Sequence, residues 1–286
     1  AAVRGAVSMA KDSKLAARSV TALVALAVFM TLIWTPGLRL LFTVFVGALS
    51  AVGLYEYYAI VRARAISPET IGGILAGTCV AMSGHLGDAI ATNFVLFGGC
   101  VLAASLHIVR GQHSVAGLSS TVFGVFYIGW FGAHVPLMQS VPGVGPGLVM
   151  TLFVVVILTD TAAYFVGSAL GKHKMAPKVS PNKTWEGAFA GLLAAMAGAA
   201  ALWYVRERAG LASLPDWPVW RYVHAGALVS IVAQLGDLTE SCLKRDAGVK
   251  DSGNFFPGHG GVLDRTDGFL FAAPVLYYLV TPFFGR

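Results

Sequence analysis

Residues 241–267 read SCLKRDAGVKDSGNFFPGHGGVLDRTD, a polar stretch in a chain that is otherwise largely apolar. Apolar runs flank it at about 222–240 and 267–283. Cations, carboxylates, one histidine and several glycines are crowded between these runs. Charged groups are costly at membrane depth and are found there mainly for function. The stretch is therefore predicted to be a functional site beside membrane-spanning segments.

The composition indicates a membrane protein. Hydrophobic residues make up 56% of the 286 positions and charged residues only 12%, whereas soluble domains carry about 25% charged residues. A segment of about 20 apolar residues is long enough to cross the hydrocarbon core. We predict an all-α polytopic bundle with about nine transmembrane helices. The apolar runs lie at about 19–35, 40–60, 70–84, 90–108, 116–140, 147–168, 186–205, 222–240 and 267–283.

Polar groups are distributed unevenly between the two halves of the chain. Few lie inside the apolar runs before residue 140, whereas acids and polar loops gather after Asp160. We therefore predict an N-terminal transmembrane scaffold over 1–140 and a catalytic transmembrane region over 141–286. The run 141–147, VPGVGPG, is expected to be a tight turn.

The positive charge of the chain points to membrane orientation. Its formal net charge is +6, but the cations sit beside the apolar runs, so nucleic-acid binding is not expected. With nine spans and a cytoplasmic N-terminus, fifteen of the 20 lysines and arginines fall on the cytoplasmic side. Cytoplasmic loops carry such an excess. We expect both polar loops of the second half to face the cytoplasm.

Two earlier segments carry polar groups of their own. Asp160 and Tyr164 are four residues apart and should share a helix face; a purely structural role within the bundle is the alternative. The loop 171–187 brings Ser180, Lys183 and Thr184 to the start of an apolar run, where hydroxyls, a cation and free N–H groups favour phosphate contact. Helix capping by Ser180 or Thr184 would explain these hydroxyls without a ligand.

The polar stretch and the helix before it suggest a divalent metal. Asp237 and Lys244 should line one helical face, and Asp264 and Asp267 one face of the next helix. Carboxylates that converge from two helices and leave room for water and phosphates suit Mg²⁺. The three cysteines are scattered without CxxC spacing, so no zinc site is indicated. His259, between glycines, has an alternative role as a donor to backbone carbonyls.

The polar stretch also resembles a known signature. Its pattern S-x-LKR-x4-KD-x-G-x2-FP-x-HGGV-x-DRTD is similar to that of the phosphatidate cytidylyltransferases, or CDP-diacylglycerol synthases, as are the segments 160–167 and 180–187. The resemblance covers residues 160–267 at the level of motifs. It implies an enzyme that makes CDP-diacylglycerol from CTP and phosphatidic acid. It further implies Mg²⁺, a second cation such as K⁺, and a homodimer. The basic N-terminus and the multiple spans fit a bacterial plasma membrane.

The resemblance assigns a role to each group. Asp237 and Asp264 are expected to be the principal metal ligands, with Asp267 either completing the site or supporting its ligands from outside. The remaining residues are expected to bind substrate: Lys244, Arg245, Lys250 and Arg265 the triphosphate and lipid phosphate, Ser180, Lys183 and Thr184 the nucleotide, with His259 and Asp160 as further candidates.

Other functions remain open at this point. Buried acids in a bundle also mark ion pathways, so an ion or solute transporter is one alternative, although the halves show no inverted repeat. A cytidylyltransferase acting on another lipid phosphate, such as an isoprenoid phosphate, is the second. The CDP-alcohol phosphotransferases fit poorly, because Asp267-Gly268 is followed by Phe-Leu-Phe instead of their spaced aspartates.

Overall fold

The structure is a computed structural model that describes residues 26–111, 114–255 and 260–281. The chain divides into two units, Ala1–Phe42 and Thr43–Arg286. In the first unit, residues 26–34 are helical and a 3₁₀ turn spans Pro36–Leu38. All the site residues discussed below belong to the second unit.

Helices make up most of the described chain. In the first half they are α1 (Arg39–Ala63), α2 (Thr70–Ser83), α3 (Ala89–Val109), α4 (Val115–Gly124) and α5 (Phe131–Gln139), with a π-helical turn at Val125–Trp130 joining α4 to α5. The second half contains α6 (Gly145–Leu170), β1 (Lys174–Ala176), β2 (Ser180–Thr184), α7 (Trp185–Ala209), α8 (Val219–Asp246) and α9 (Leu263–Val280).

Five helical segments are long and apolar enough to cross a membrane. They are Pro36–Ala63, Ala89–Val109, Val115–Gln139, Gly145–Leu170 and Trp185–Ala209. Large apolar side chains on α3 lie in the open, with Ile90 and Phe94 80% and 75% exposed, as expected of a surface that meets lipid.

The α-helical membrane class is thus confirmed, but the expected nine spans are not. The 14-residue helix α2 is only about 21 Å long at 1.5 Å per residue. The charged site residues lower the apolar character of α8 and α9.

The all-α expectation misses one element. Within the polar loop 171–187, β1 and β2 pair antiparallel, with Lys174 opposite Thr184 and Ala176 opposite Ser180. The polar composition of the loop and its prolines favoured irregular structure at the level of the sequence. The strands form because a tight connection at 177–179 returns the chain directly beside itself.

Glycines let the helices of the second half approach closely. A Cβ on Gly187 would lie 2.7 Å from the carbonyl oxygen of Ala163, and one on Gly191 2.7 Å from that of Thr159. A Cβ on Gly236 of α8 would lie 2.6 Å from the Asp267 carbonyl oxygen of α9. Small residues at helix crossings are how membrane bundles achieve tight packing. These contacts fix α6 against α7 and α8 against α9.

Helix α1 packs against the second half of the chain. A buried cluster combines Leu54 and Tyr58 of α1 with Leu263 and Leu270 of α9. On another side of α1, the Tyr58 hydroxyl donates to the Thr121 carbonyl at 2.9 Å. The division into regions 1–140 and 141–286 remains a prediction, with this cluster holding residues of both.

Candidate active site

A cavity of about 520 Å³ lies beside the polar segments of the second half. Its walls come from α6, the β1–β2 hairpin, the first turn of α7 and the C-terminal half of α8. Four of the predicted site residues line it: Asp160, Lys183, Thr184 and Asp237. The structure thus brings three separate sequence segments together, as the sequence predicted.

The α6 wall carries the predicted pair of Asp160 and Tyr164. Both line the cavity, which confirms that they share a helix face. The Tyr164 side chain is 71% exposed. This aromatic ring therefore borders the opening of the cavity.

The hairpin wall is fastened at its base and along β2. At the base, His173 Nδ1 lies 2.6 Å from Glu186 Oε1. On β2, the Lys183 ammonium lies 2.6 Å from Asp237 Oδ2 of α8. Thr184 caps α7 by accepting a hydrogen bond from the Gly187 N–H at 3.2 Å. The alternative of helix capping thus holds for Thr184, and its expected contact with the nucleotide stays a prediction. Ser180 begins β2 and lies outside the cavity lining.

Three carboxylates meet between α8 and α9, and we call Asp237, Glu240 and Asp267 the acid cluster. One oxygen from each lies within 4.8 Å of the others. Glu240 is completely buried. Its Oε2 lies 2.5 Å from Lys244 Nζ, whereas its Oε1 has no hydrogen-bond partner among the described residues.

Asp264 lies in a different set of contacts, the loop network, which consists of Glu56, Lys244, Ser252 and Asp264. Asp264 Oδ1 accepts from Lys244 Nζ at 2.6 Å. Its Oδ2 accepts from the N–H and hydroxyl of Ser252, at 2.9 and 2.8 Å, and from the Gly261 N–H at 2.7 Å. Donors therefore already surround this carboxylate, and its expected role as a principal metal ligand stays a prediction.

The other predicted cations lie away from the cavity wall. Arg245 donates to the carbonyl oxygens of Val179 in the hairpin and Val249, each at 3.2 Å. Lys250 and Arg265 are exposed. His259 lies outside the described residues.

Two acids of this region were missed by the sequence reasoning. Glu240 is three residues from Asp237, so the two share a helical face, and this spacing could have identified it. Glu56 is the only charged residue in the apolar run 40–60. A lone acid at membrane depth is itself a functional signal. However, Glu56 is followed by two tyrosines near the end of an apolar run, a pattern that also fits a position at the membrane–water interface.

Comparison with known proteins places the chain in a family. Residues 16–283 match the sequence profile described as the Cytidylyltransferase family. The chain belongs to the cytidylyltransferase family. The match extends over both halves of the chain, so in this family member it includes Glu56 as well as the acid cluster.

Individual cytidylyltransferase relatives are similar along nearly the whole chain. A Brucella suis protein named phosphatidate cytidylyltransferase is 36% identical over 93% of this chain and 93% of its own length. Proteins of the same name from Bacillus subtilis and Synechocystis are 34% and 33% identical, covering 93% and 80% of this chain and 97% and 84% of their own lengths.

Proposed function

We propose that this protein transfers the cytidylyl group of CTP to phosphatidic acid, releasing pyrophosphate and forming CDP-diacylglycerol in phospholipid synthesis. The observation that carries the proposal is the similarity to phosphatidate cytidylyltransferases over more than nine-tenths of the chain. The cavity supports it, because acids and a lysine converge beside membrane-spanning helices.

The acid cluster fits a divalent cation. Three carboxylate oxygens within 4.8 Å of one another repel each other. Lys183 pairs with Asp237 and Lys244 with Glu240, whereas Asp267 has no ion-pair partner among the described residues. The buried Glu240 Oε1, without a hydrogen-bond partner in the described residues, leaves a free acceptor there. Asp237, Glu240 and Asp267 would hold Mg²⁺, an ion that prefers oxygen ligands. When bound, such an ion neutralises and orients phosphate oxygens.

The chemistry asks little of a general base. A non-bridging oxygen of the phosphatidate phosphate forms a bond to the α-phosphorus of CTP. The bond from that phosphorus to the oxygen bridging to the β-phosphorus breaks, and pyrophosphate leaves with its electron pair. Because a phosphate monoester is mostly ionised at neutral pH, the attacking oxygen needs no deprotonation. Positioning and charge neutralisation are then the main contributions of the protein.

Residues that line the cavity and residues beside it supply these contributions. Lys183 lines the cavity, and its buried ammonium neutralises Asp237; we expect it to bind a phosphate group when substrate enters. Lys244 supports both carboxylate sets, with its ammonium 2.5 Å from Glu240 and 2.6 Å from Asp264. Arg245 ties the hairpin to the end of α8, which holds the cavity wall in place.

The proposal includes a setting and an assembly. A bacterial plasma membrane with the cavity on the cytoplasmic side is supported by the bias of lysines and arginines. A second cation such as K⁺ and a homodimer rest on the family resemblance. Activity with K⁺ replaced by a bulky organic cation tests the former, and chemical cross-linking in membranes tests the latter.

Reconstitution tests the function directly. Purified protein with phosphatidic acid, CTP and Mg²⁺ should release pyrophosphate in equal amount to CDP-diacylglycerol, detected by mass spectrometry. Asp237→Asn should remove the product, whereas Asp246→Asn, an exposed acid at the end of α8, should retain it. No pyrophosphate release by the wild-type protein would refute the proposal. Faster turnover of an isoprenoid phosphate would reassign the lipid substrate.

A further inference from the structure

Glu56 is a buried acid in the half of the chain that was predicted to be scaffold. It lies on α1 with only 4% of its surface exposed. The described part of the chain gives it no ion-pair partner within 4 Å. A buried carboxylate of this kind is tolerated when hydrogen bonds replace its hydration. The hydrogen-bond donors to the Glu56 carboxylate therefore indicate its role.

The donors come from the segment that connects α8 to α9 and from the first residue of α9. Glu56 Oε1 accepts from the Val262 N–H at 3.0 Å, and Oε2 accepts from the Leu263 N–H at 2.8 Å. The Ser252 hydroxyl lies 3.2 Å from Oε2. Hydrogen bonds from N–H groups to a carboxylate are stronger than neutral ones, so Glu56 fastens two points of this connection to α1.

Glu56 also serves as the missing cap of α9. The residue at the N-cap position, Val262, makes no side-chain capping bond, although the first N–H groups of a helix need acceptors from outside it. Glu56, more than 200 positions earlier, accepts two of them. Its negative charge at a helix N-terminus is favourable as well.

Two glycines form a close-fitting cradle for this carboxylate. A Cβ on Gly253 would lie 2.4 Å from Glu56 Oε1, and one on Gly261 would lie 2.5 Å from Oε2. No ordinary side chain fits at these distances, so the backbone closes around the acid. Gly253 and Gly261 belong to the polar stretch, and their contact with the Glu56 carboxylate explains why glycine occupies both positions.

We infer that Glu56 is a positioning residue of the active site, which acts through Ser252 on Asp264 and Lys244. The Ser252 hydroxyl lies between the two carboxylates, 3.2 Å from Glu56 and 2.8 Å from Asp264. Asp264 in turn holds Lys244, whose ammonium reaches the acid cluster. Glu56 itself touches neither the cavity nor the acid cluster. This role rests on the proposed function and extends it to the first half of the chain.

Glu56→Gln is the decisive variant, since it keeps the shape of the side chain and replaces one of the two acceptor oxygens with an amide group. The amide nitrogen cannot accept a hydrogen bond, so either Val262 or Leu263 loses its partner. We expect kcat to fall by about 10- to 100-fold, the range seen for residues that orient catalytic ligands, with little change in the KM for CTP. The Val262 and Leu263 amides should exchange hydrogen faster in the protein without substrate.

Glu69→Gln is the matched control. Glu69 is also a buried acid of the first half, at 1% exposure, but its partners are Gly72 and Arg110. This variant should lower thermal stability while leaving kcat and the Val262 and Leu263 exchange rates near wild type. An equal loss of kcat and stability in both variants would overturn the inference, as would a wild-type kcat in Glu56→Gln.

A second variant displaces the carboxylate without changing any charge. Gly253→Ala places a methyl group against Glu56 Oε1 and should reproduce the loss of kcat, whereas Gly98→Ala, where no atom lies within 4 Å of the new Cβ, should not. Normal kcat in Gly253→Ala would count against the inference. Failure of the proposed function would appear separately, as an inactive wild-type protein, while the exchange measurement would still report on Glu56.

Discussion

The acid cluster and the loop network contain similar side chains in opposite surroundings. In the loop network, Glu56 and Asp264 accept from the backbone N–H groups of Val262, Leu263, Ser252 and Gly261. In the acid cluster, carboxylates face one another, and the Gly268 N–H to Asp267, at 2.8 Å, is the backbone donor that the described chain provides. Carboxylates saturated by N–H groups hold backbone in place, whereas crowded, undersatisfied ones retain capacity for a cation.

Metal binding without substrate tests this contrast most strongly. Asp267→Asn should weaken Mn²⁺ binding, measured by electron paramagnetic resonance, and should lower kcat by about 10³-fold, or roughly 4 kcal/mol. Asp264→Asn should lose activity through Lys244 while it still binds Mn²⁺. Loss of Mn²⁺ binding in Asp264→Asn would instead support the metal role expected from the sequence. Asp246→Asn is the control for removing an acid from this end of α8.

A lysine beside the acid cluster, Lys183, provides a second test of the difference between the acid cluster and the loop network. Its ammonium lies 2.6 Å from Asp237 and so competes with any metal ion for that carboxylate. Because the pair is partly exposed, its contribution is about 1 kcal/mol at most. Lys183→Met should therefore tighten Mn²⁺ binding by up to about fivefold while it raises the KM for CTP. Lys178→Met, another hairpin lysine, should change neither quantity; unchanged Mn²⁺ affinity in Lys183→Met would contradict this role.

The smallest effect is expected at Arg245. Its two hydrogen bonds to the carbonyl oxygens of Val179 and Val249 tie the hairpin to the end of α8. Arg245→Ala should raise the KM for CTP by roughly fivefold, since one net hydrogen bond is worth about 1 kcal/mol, and should leave kcat unchanged. Arg64→Ala removes a surface arginine near the same helix end and is the comparison. An unaltered KM in Arg245→Ala would separate this residue from the cavity.

The sequence predicted the helical membrane class and four of the residues that line the cavity, because both depend on local patterns. Helical spacing placed Asp160 beside Tyr164, and a short polar loop ahead of an apolar run placed Lys183 and Thr184 at a helix start. Residues on one helix or one turn share a face whatever the rest of the chain does. These local arrangements are therefore found again in the folded protein.

The sequence could not assign the partners of each carboxylate, because these depend on contacts between distant segments. Asp264 and Asp267 share a helix face, yet Asp264 turns to the Ser252 loop and Asp267 to α8. The hairpin pairing was equally hidden, since polar residues with prolines read as a loop. The nine predicted spans are not confirmed, because the run 19–35 lies partly outside the described residues, α2 is short, and α8 and α9 carry the site.

The hydrogen bonds of Glu56 to the start of α9 have a consequence for how the protein is made. Val262 is synthesised 206 residues after Glu56, a delay of roughly 10 to 40 s at about 5 to 20 residues per second. Throughout that interval an acid in an early apolar helix lacks these N–H donors, at a cost that membrane insertion must tolerate. Completion of the site thus waits for the start of α9, and a ribosome stalled before this point leaves Glu56 without the donors that fasten it there.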